Sequence, residues 1–537
     1  MHAALQHRVI LNEIFDYLTP PLEPECDRDH HYTVCYPDKD AQKVLYCAAL
    51  TCTAFREPAL KQLWRHVTTF DALLGLLPSS VKVVSDVSIH DRHNPAPDLL
   101  QYAPSVWVVD GPVTEAERAR FIWYAKHIRA LHLHTQYRID PTVFHHLAHA
   151  RLGRPLAPQL RALYSFRGGP PCMNMAVALL SGPALSALAL MFPPADATVT
   201  DDRHRGLPLN HHLYALRGLL ANVAASAPGL KLLAVHTCTH ASLLEPIGAM
   251  HNLRWLELWE IEVPFGMDLL RTLAGLDQLQ QLLLPDTFDA RGATPCSGFK
   301  SVKSLTVSGG ARTVPSLLAV LPDLQLRGLC LDLAFSAEEM IASLYVIADA
   351  LRKGSEVSLE ELELRMGNSI TGSALSRDSV STVFEPFSAF QGIQVLELKS
   401  DEPMMISDQD LRKIGRTWPK LDMLDIRNFY DEMHLVSPTI RGIIKLANAC
   451  PRLASVYFPG VKPTVDAASA IGPLRTKDFR KTLLDVRVPD EQIRDVGQLA
   501  RVLHSVFETL QIVNLDRDQY GKWGAVLDEM ARLQGNK

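Results

Sequence analysis

The 537-residue chain contains no window of about 20 uninterrupted apolar residues, the length a membrane-spanning helix requires. Its most apolar stretch, AVALLSGPALSALALMF, carries Ser, Gly and Pro inside it, so no membrane association is expected. The opening MHAALQHRVILNEIF is charged and amphipathic and lacks a secretory hydrophobic core. Basic excess is missing too. The net charge is −5, which argues against a nucleic-acid partner, because holding phosphate needs clustered Lys and Arg. Cysteines number nine, an odd and scattered set that does not form a disulfide framework. These absences point to a soluble cytoplasmic or nuclear protein with free thiols.

The motifs of catalysis are also missing. There is no GxxxxGK[ST] phosphate loop, no HExxH zinc helix and no GxSxG nucleophile elbow. Cys26, His30, His31 and Cys35 have the chemistry for zinc, but their spacing is not that of a finger and no second ligand pair follows. We therefore expect neither an enzyme, nor a metal, nor a cofactor.

What the chain does have is a repeat. From residue 128 onward a phrase recurs: apolar, two variable residues, apolar, one variable, apolar. It runs IRALHL, LRALYS, LSALAL, LKLLAV, LRWLEL, LQQLLL, VKSLTV, LRGLCL, LEELEL, IQVLEL, LDMLDI, LASVYF, LLDVRV and LQIVNL. The central residues of these fourteen phrases, from Leu131 to Val513, are 23 to 45 residues apart. One phrase means little in a Leu-rich chain, but an ordered series at such spacing marks stacked repeats. Each phrase reads as a short strand whose alternate residues enter a shared core. Between phrases lie segments of helical periodicity, such as SAEEMIASLYVIADALRKG and SPTIRGIIKLANACP, with Ser336 and Asp490 as candidate helix N-caps. A single strand and helix leave apolar faces uncovered, whereas stacked units cover one another. The pattern resembles the leucine-rich repeats of the ribonuclease-inhibitor-like class. That resemblance implies an α/β solenoid, or horseshoe, over residues 126–537, with parallel inner strands and outer helices. The C-terminal DQYGKWGAVLDEMARLQ reads as its capping helix.

Two fragments precede the repeats, VILNEIFDYL and VLYCAALTCTAFREPALKQLWRHV. The first sets Val9 or Ile10, Ile14, Phe15 and Leu18 toward one side of a helix. The second sets out Leu45, Ala49 and Cys52, then Phe55, Leu60, Leu63 and Trp64 after a break near Pro58. Together they resemble an F-box, and LTCTAFREPALKQLWRHV is similar to the F-box of fungal F-box/leucine-rich-repeat proteins. The resemblance implies a helical domain over residues 1–67 that docks onto the Skp-type linker subunit of a cullin–RING ubiquitin ligase. The docking residues carried over are Ile10, Ile14, Phe15, Leu18, Leu50, Phe55, Leu63 and Trp64. Gln6-His7 stands where the family has Leu-Pro, and a polar insertion occupies residues 19–42. The alternative is that these helices only cap the first repeat of a scaffold or ligand-binding protein with no tie to a ligase. Residues 68–125 read as a connector that ends in the helix TEAERARFIWYA.

Alternation also places the cargo face. With the phrase's apolar residues inward, the residue before each centre and those one and three after it form three columns on the opposite face. Near the N-terminal end they hold His132, His134, Tyr164, Phe166, Met191, His236, Trp255, Glu257 and Trp259. Aromatics gathered on one face suggest a substrate-recognition patch for an unknown protein. Further along, the carboxylates Glu363, Glu397 and Asp425 run beside Arg365, Lys399 and Arg427. These are expected to pair across strands as solvated scaffold.

Overall fold

The computed structural model describes residues 7–19, 38–85, 105–135, 137–151, 155–165, 173–191, 209–238, 240–261, 263–310, 312–333, 337–353, 358–367, 379–401, 404–428, 437–458, 483–486, 493, 495–506 and 521–535. By packing, the chain divides into two compact units, Met1–Leu283 and Leu284–Lys537.

The first unit opens with three helices, α1 (Arg8–Asp16), α2 (Lys39–Thr51) and α3 (Thr53–Leu63). Leu11, Phe15, Leu45, Ala49 and Ala59 form their core, with Leu18, Phe55, Leu60 and Leu63 packed against it. Asp38 caps α2 by accepting from Asp40 N at 3.2 Å. Strand β1 (His66–Val67) follows α3 at once and is the first strand of a parallel sheet. It escapes the repeated phrase because Thr69 stands where the phrase requires its third apolar residue.

The stretch expected to be a connector has structure of its own. It contains α4 (Asp71–Leu74), the antiparallel pair β2 (Val81–Ser85) and β3 (Ser105–Val109), and α5 (Glu115–Ala125). Helix α5 is the one read from TEAERARFIWYA, and a Thr114–Glu117 capping box starts it. Strand β4 (Ala130–His132) then joins β1, while β5 (Arg138–Ile139) joins β3 in the small sheet.

The remaining strands of the first unit are β6 (Ala162–Tyr164), β7 (Ala187–Met191), β8 (Leu232–Cys238), β9 (Trp255–Ile261) and β10 (Gln281–Leu284). They extend the sheet in the order β1-β4-β6-β7-β8-β9-β10. The phrase centres align in register, Leu131 with Leu163, Leu163 with Leu188, Leu188 with Leu233, Leu233 with Leu256 and Leu256 with Leu282. All are buried, as alternation requires of the core side.

The second unit repeats the design. Its strands are β11 (Ser304–Gly309), β12 (Gly328–Leu333), β13 (Glu361–Met366), β14 (Val395–Ser400), β15 (Met423–Asn428), β16 (Ser455–Phe458) and β17 (Leu483–Val486). They are parallel and sequential, with Leu305, Leu329, Leu362, Leu396, Leu424 and Val456 in one file. At β17 the file continues to Leu484, not to Val486, the centre read from the phrase. The two positions share a face, so the shift leaves the inward pattern intact. The phrase around Val513, and Ser336 and Asp490, lie outside the described residues.

The helices Ala337–Lys353 and Ile440–Ala449 match the two periodic segments, and Leu209–Ser226 in the first unit and Val496–Val506 in the second are further helices between strands. Helix Gly521–Gly535 packs on Val496–Val506, the place expected for a cap. Among the described residues no helix is long and apolar enough to cross a membrane. Cys47, Cys52, Cys296, Cys330 and Cys450 are free thiols.

Candidate partner-binding surfaces

In the helical module, 3.6-residue periodicity produces two adjacent faces on α1. Leu11, Phe15 and Leu18 turn toward the module's core, whereas Ile10, Ile14 and Tyr17 turn to solvent. On α2, Leu45 and Ala49 are buried and Val44, Tyr46 and Leu50 are exposed. The eight docking residues named from the sequence therefore separate. Ile10, Ile14 and Leu50 are on the surface. Phe15, Leu18, Phe55 and Leu63 instead build the module, with the Phe15 and Phe55 rings edge-to-face at 6.0 Å. Trp64 packs on Tyr124 of α5, ring centroids 4.5 Å apart, and so braces the end of α3 against α5. Tyr17, 92% exposed, is the surface aromatic that the sequence reading passed over. Its i, i+4, i+7 spacing from Ile10 and Ile14 was the signal.

On the first unit's sheet, the residues one past each centre align as His132, Tyr164, Ala189, Ala234, Glu257 and Leu283. His132, Tyr164 and Glu257 are buried, which corrects their expected exposure. The physical reason is packing along the face. Tyr164 joins Ala130, Ala162, Ala187, Ala189, Leu232 and Ala234 in one apolar cluster, with Trp255 against it. His132 is held between the Tyr164 ring, at 4.7 Å, and the His66 ring, stacked at 5.0 Å. The two imidazoles meet Nε2 to Nε2 at 2.8 Å. Burial pushes His66 down to about 4, and burial with the neighbouring imidazoles pushes His132 down to about 3, so both are neutral at pH 7.

Trp255, Trp259 and His236 remain half-exposed, and His134 is exposed. Trp255 Nε1 donates to Glu257 Oε1 at 2.8 Å, and Trp259 Nε1 donates to Oε2 at 3.4 Å. His236 stacks on Trp259 at 5.7 Å. Burial raises the Glu257 carboxyl to about 7 against the lowering effect of both indole N–H groups. The result is an aromatic rim around a carboxyl that is about half protonated near pH 7. Phe166 lies outside the described residues, as do Cys26, His30, His31 and Cys35. Among the described residues no three His, Cys, Asp or Glu side chains gather as metal ligands would.

On the second unit's sheet, the charged columns are present, but the acids and Lys399 are shielded from solvent while Arg427 stays exposed. Glu363, Glu397, Lys399 and Asp425 are buried. Lys399 Nζ bridges to Glu363 across the strands at 2.9 Å and sits 3.7 Å from Glu397 on its own strand. Arg365 and Arg427 pair back along their own strands with Glu363 and Asp425, each at 2.7 Å. Arg427 also lies over the Tyr457 ring at 5.0 Å. Long cationic stems folded over the shorter acids exclude water from them.

No family model and no curated protein matches the chain. Among solved structures, a leucine-rich-repeat (LRR) protein of Leptospira interrogans is similar at 14% identity, covering 60% of this chain and 78% of that one. Its TM-score of 0.23 is too low to bear on function. The strand–helix units, with their leucine centres buried and aligned in register, form α/β repeat stacks consistent with a leucine-rich solenoid.

Proposed function

We propose that the chain is a two-part adaptor. Its helical module docks the Skp-type linker subunit of a cullin–RING ubiquitin ligase, and its repeats hold a protein substrate. The observation that carries this reading is the apolar surface of α1 and α2. Val9, Ile10, Ile14, Tyr17, Val44, Tyr46 and Leu50 are all at least 39% exposed on a module that already has its own core. Large apolar side chains gathered on one small module mark a partner site. Cargo would rest on the half-exposed Trp255, Trp259 and His236, with His134 beyond them. His132, Tyr164 and Glu257 would shape that face from below.

A second reading, a repeat scaffold or ligand-binding protein not attached to a ligase, draws on the direct passage from α3 into β1 and on the Trp64–Tyr124 contact. Both are what an end cap would also provide. Co-purification separates the two. The intact chain should capture the linker subunit, and Tyr17→Ala with Leu50→Asp should abolish capture. Truncation of an anchoring aromatic typically costs about 2–4 kcal/mol of binding. Both side chains are exposed, so circular dichroism should not change. Undiminished capture by the double variant would remove the docking assignment.

A further inference from the structure

Two residues before the central positions of β1, β4, β6, β7, β8 and β9 stand Arg65, Arg129, Arg161, Ser186, Lys231 and Arg254. They form a file at the rim where the strands begin. Each backbone N–H donates to the carbonyl of the residue before it in the file: Arg129 to Arg65 at 2.8 Å, Arg161 to Arg129 at 2.7 Å, and Ser186, Lys231 and Arg254 each onward at 2.8 Å. Five of six rungs are cationic in a chain whose net charge is −5. Arg161, Lys231 and Arg254 are exposed and have no carboxylate partner among the described residues. Like charges in adjacent rungs oppose folding, so an uncompensated file calls for an external anion. The crowding registers on neighbouring groups. Burial, then Arg161 and Arg65, holds the Arg129 guanidinium below its usual value. Burial with Lys126, Lys61 and Arg129 pushes His127 down to about 4.

We infer that this basic ladder is a docking rail for a short acidic segment of a partner protein. The first rung shows the chemistry, because Arg65 is paired with the Asp16 carboxylate of α1. Five inter-strand steps of about 4.8 Å give a rail of about 24 Å. An extended peptide of about seven residues covers that length. The next rung, Gln280, ends the positive run. At the equivalent positions of the second unit Lys303 and Arg327 are followed by Glu360, Gln394 and Asp422, so acids enter that register where a long polyanion would have to continue. A compact acidic peptide fits this pattern better than nucleic acid does.

The test uses the full chain and a fluorescein-labelled hepta-glutamate peptide, with hepta-glutamine and a seven-nucleotide thymidylate as comparisons. Hepta-glutamate should bind, should weaken as salt is raised, and should outcompete both comparisons. The variant Arg161→Gln/Lys231→Gln/Arg254→Gln should bind it about tenfold or more weakly, because charge complementarity sets the affinity. Arg352→Gln/Lys353→Gln/Arg501→Gln removes equal charge from the second unit and should bind like the parent. Equal loss in both variants, or tighter binding of the oligonucleotide, overturns the proposal. Lys231→Gln alone, at one exposed position, supplies the same comparison should the triple variant fold poorly. The rail does not depend on the ligase reading. A Tyr17→Ala/Leu50→Asp chain should lose the linker subunit and keep the peptide.

Discussion

Glu257 is 2% exposed between two indoles that both donate to it, and its carboxyl is lifted to about 7 from an ordinary 4.5. Between those values the native state holds a proton that the unfolded chain has released. Native stability therefore falls as pH rises from 4.5 to 7 and levels off above that. A shift of this size corresponds to a loss on the order of 3 kcal/mol. Glu257→Gln should abolish this part of the pH dependence. Its melting midpoint should exceed the parent's at pH 8 and match it near pH 4.5. An unchanged difference between the two pH values in the variant would show that Glu257 ionises as an ordinary carboxylate. The residue was nameable from alternation, but its environment was not. A column position says which face a side chain takes, and says nothing of the Trp255 and Trp259 rings that close over it.

At the scale of the element, the charged ladder of β13, β14 and β15 is a buried network whose parts are unequal. Lys399 is buried among Glu363 and Glu397, whereas the Arg427 side chain is 46% exposed beside Asp425. Lys399→Met should therefore cost about 3 kcal/mol or more, because it leaves two acids buried with less compensation. Arg427→Met should cost less than Lys399→Met, because the guanidinium it removes is itself partly in solvent and its pairing with the one acid Asp425 is screened. Denaturant titration of the two variants checks the ranking, and equal costs would mean that the face is wetter than its exposures say. The acids and Lys399 stand in the columns that alternation assigns them, but buried rather than solvated. Burial there comes from neighbouring strands laying long side chains over one another, a sum over several repeats that no single phrase contains. Helix α1 is a similar case. Its apolar residues were legible, but the division between the core face (Leu11, Phe15, Leu18) and the open face (Ile10, Ile14, Tyr17) depends on where α2 and α3 pack.

At the scale of the whole molecule, the repeat was legible because thirteen phrase centres each fall on a strand and their neighbours align in register. What stayed hidden were strands too short or too local to carry the phrase. These are β1, with its single pair of residues, and β2, β3 and β5 of the small sheet, which belong to no repeat. Stacked repeats contact mainly their neighbours, so a local defect should stay local. Leu233 and Leu396 are both phrase centres with no exposed surface, one in each unit. Truncating either to Ala should cost about 2–5 kcal/mol through lost burial and the cavity left behind. In a single cooperative core that loss would lower amide protection everywhere. In a repeat stack, Leu233→Ala should speed hydrogen exchange in β7, β8 and β9 and leave β13 to β15 near parent rates. Leu396→Ala should give the reverse pattern. Exchange measured by mass spectrometry on both variants decides the matter, and a uniform loss of protection across both units would show that the molecule unfolds as one piece.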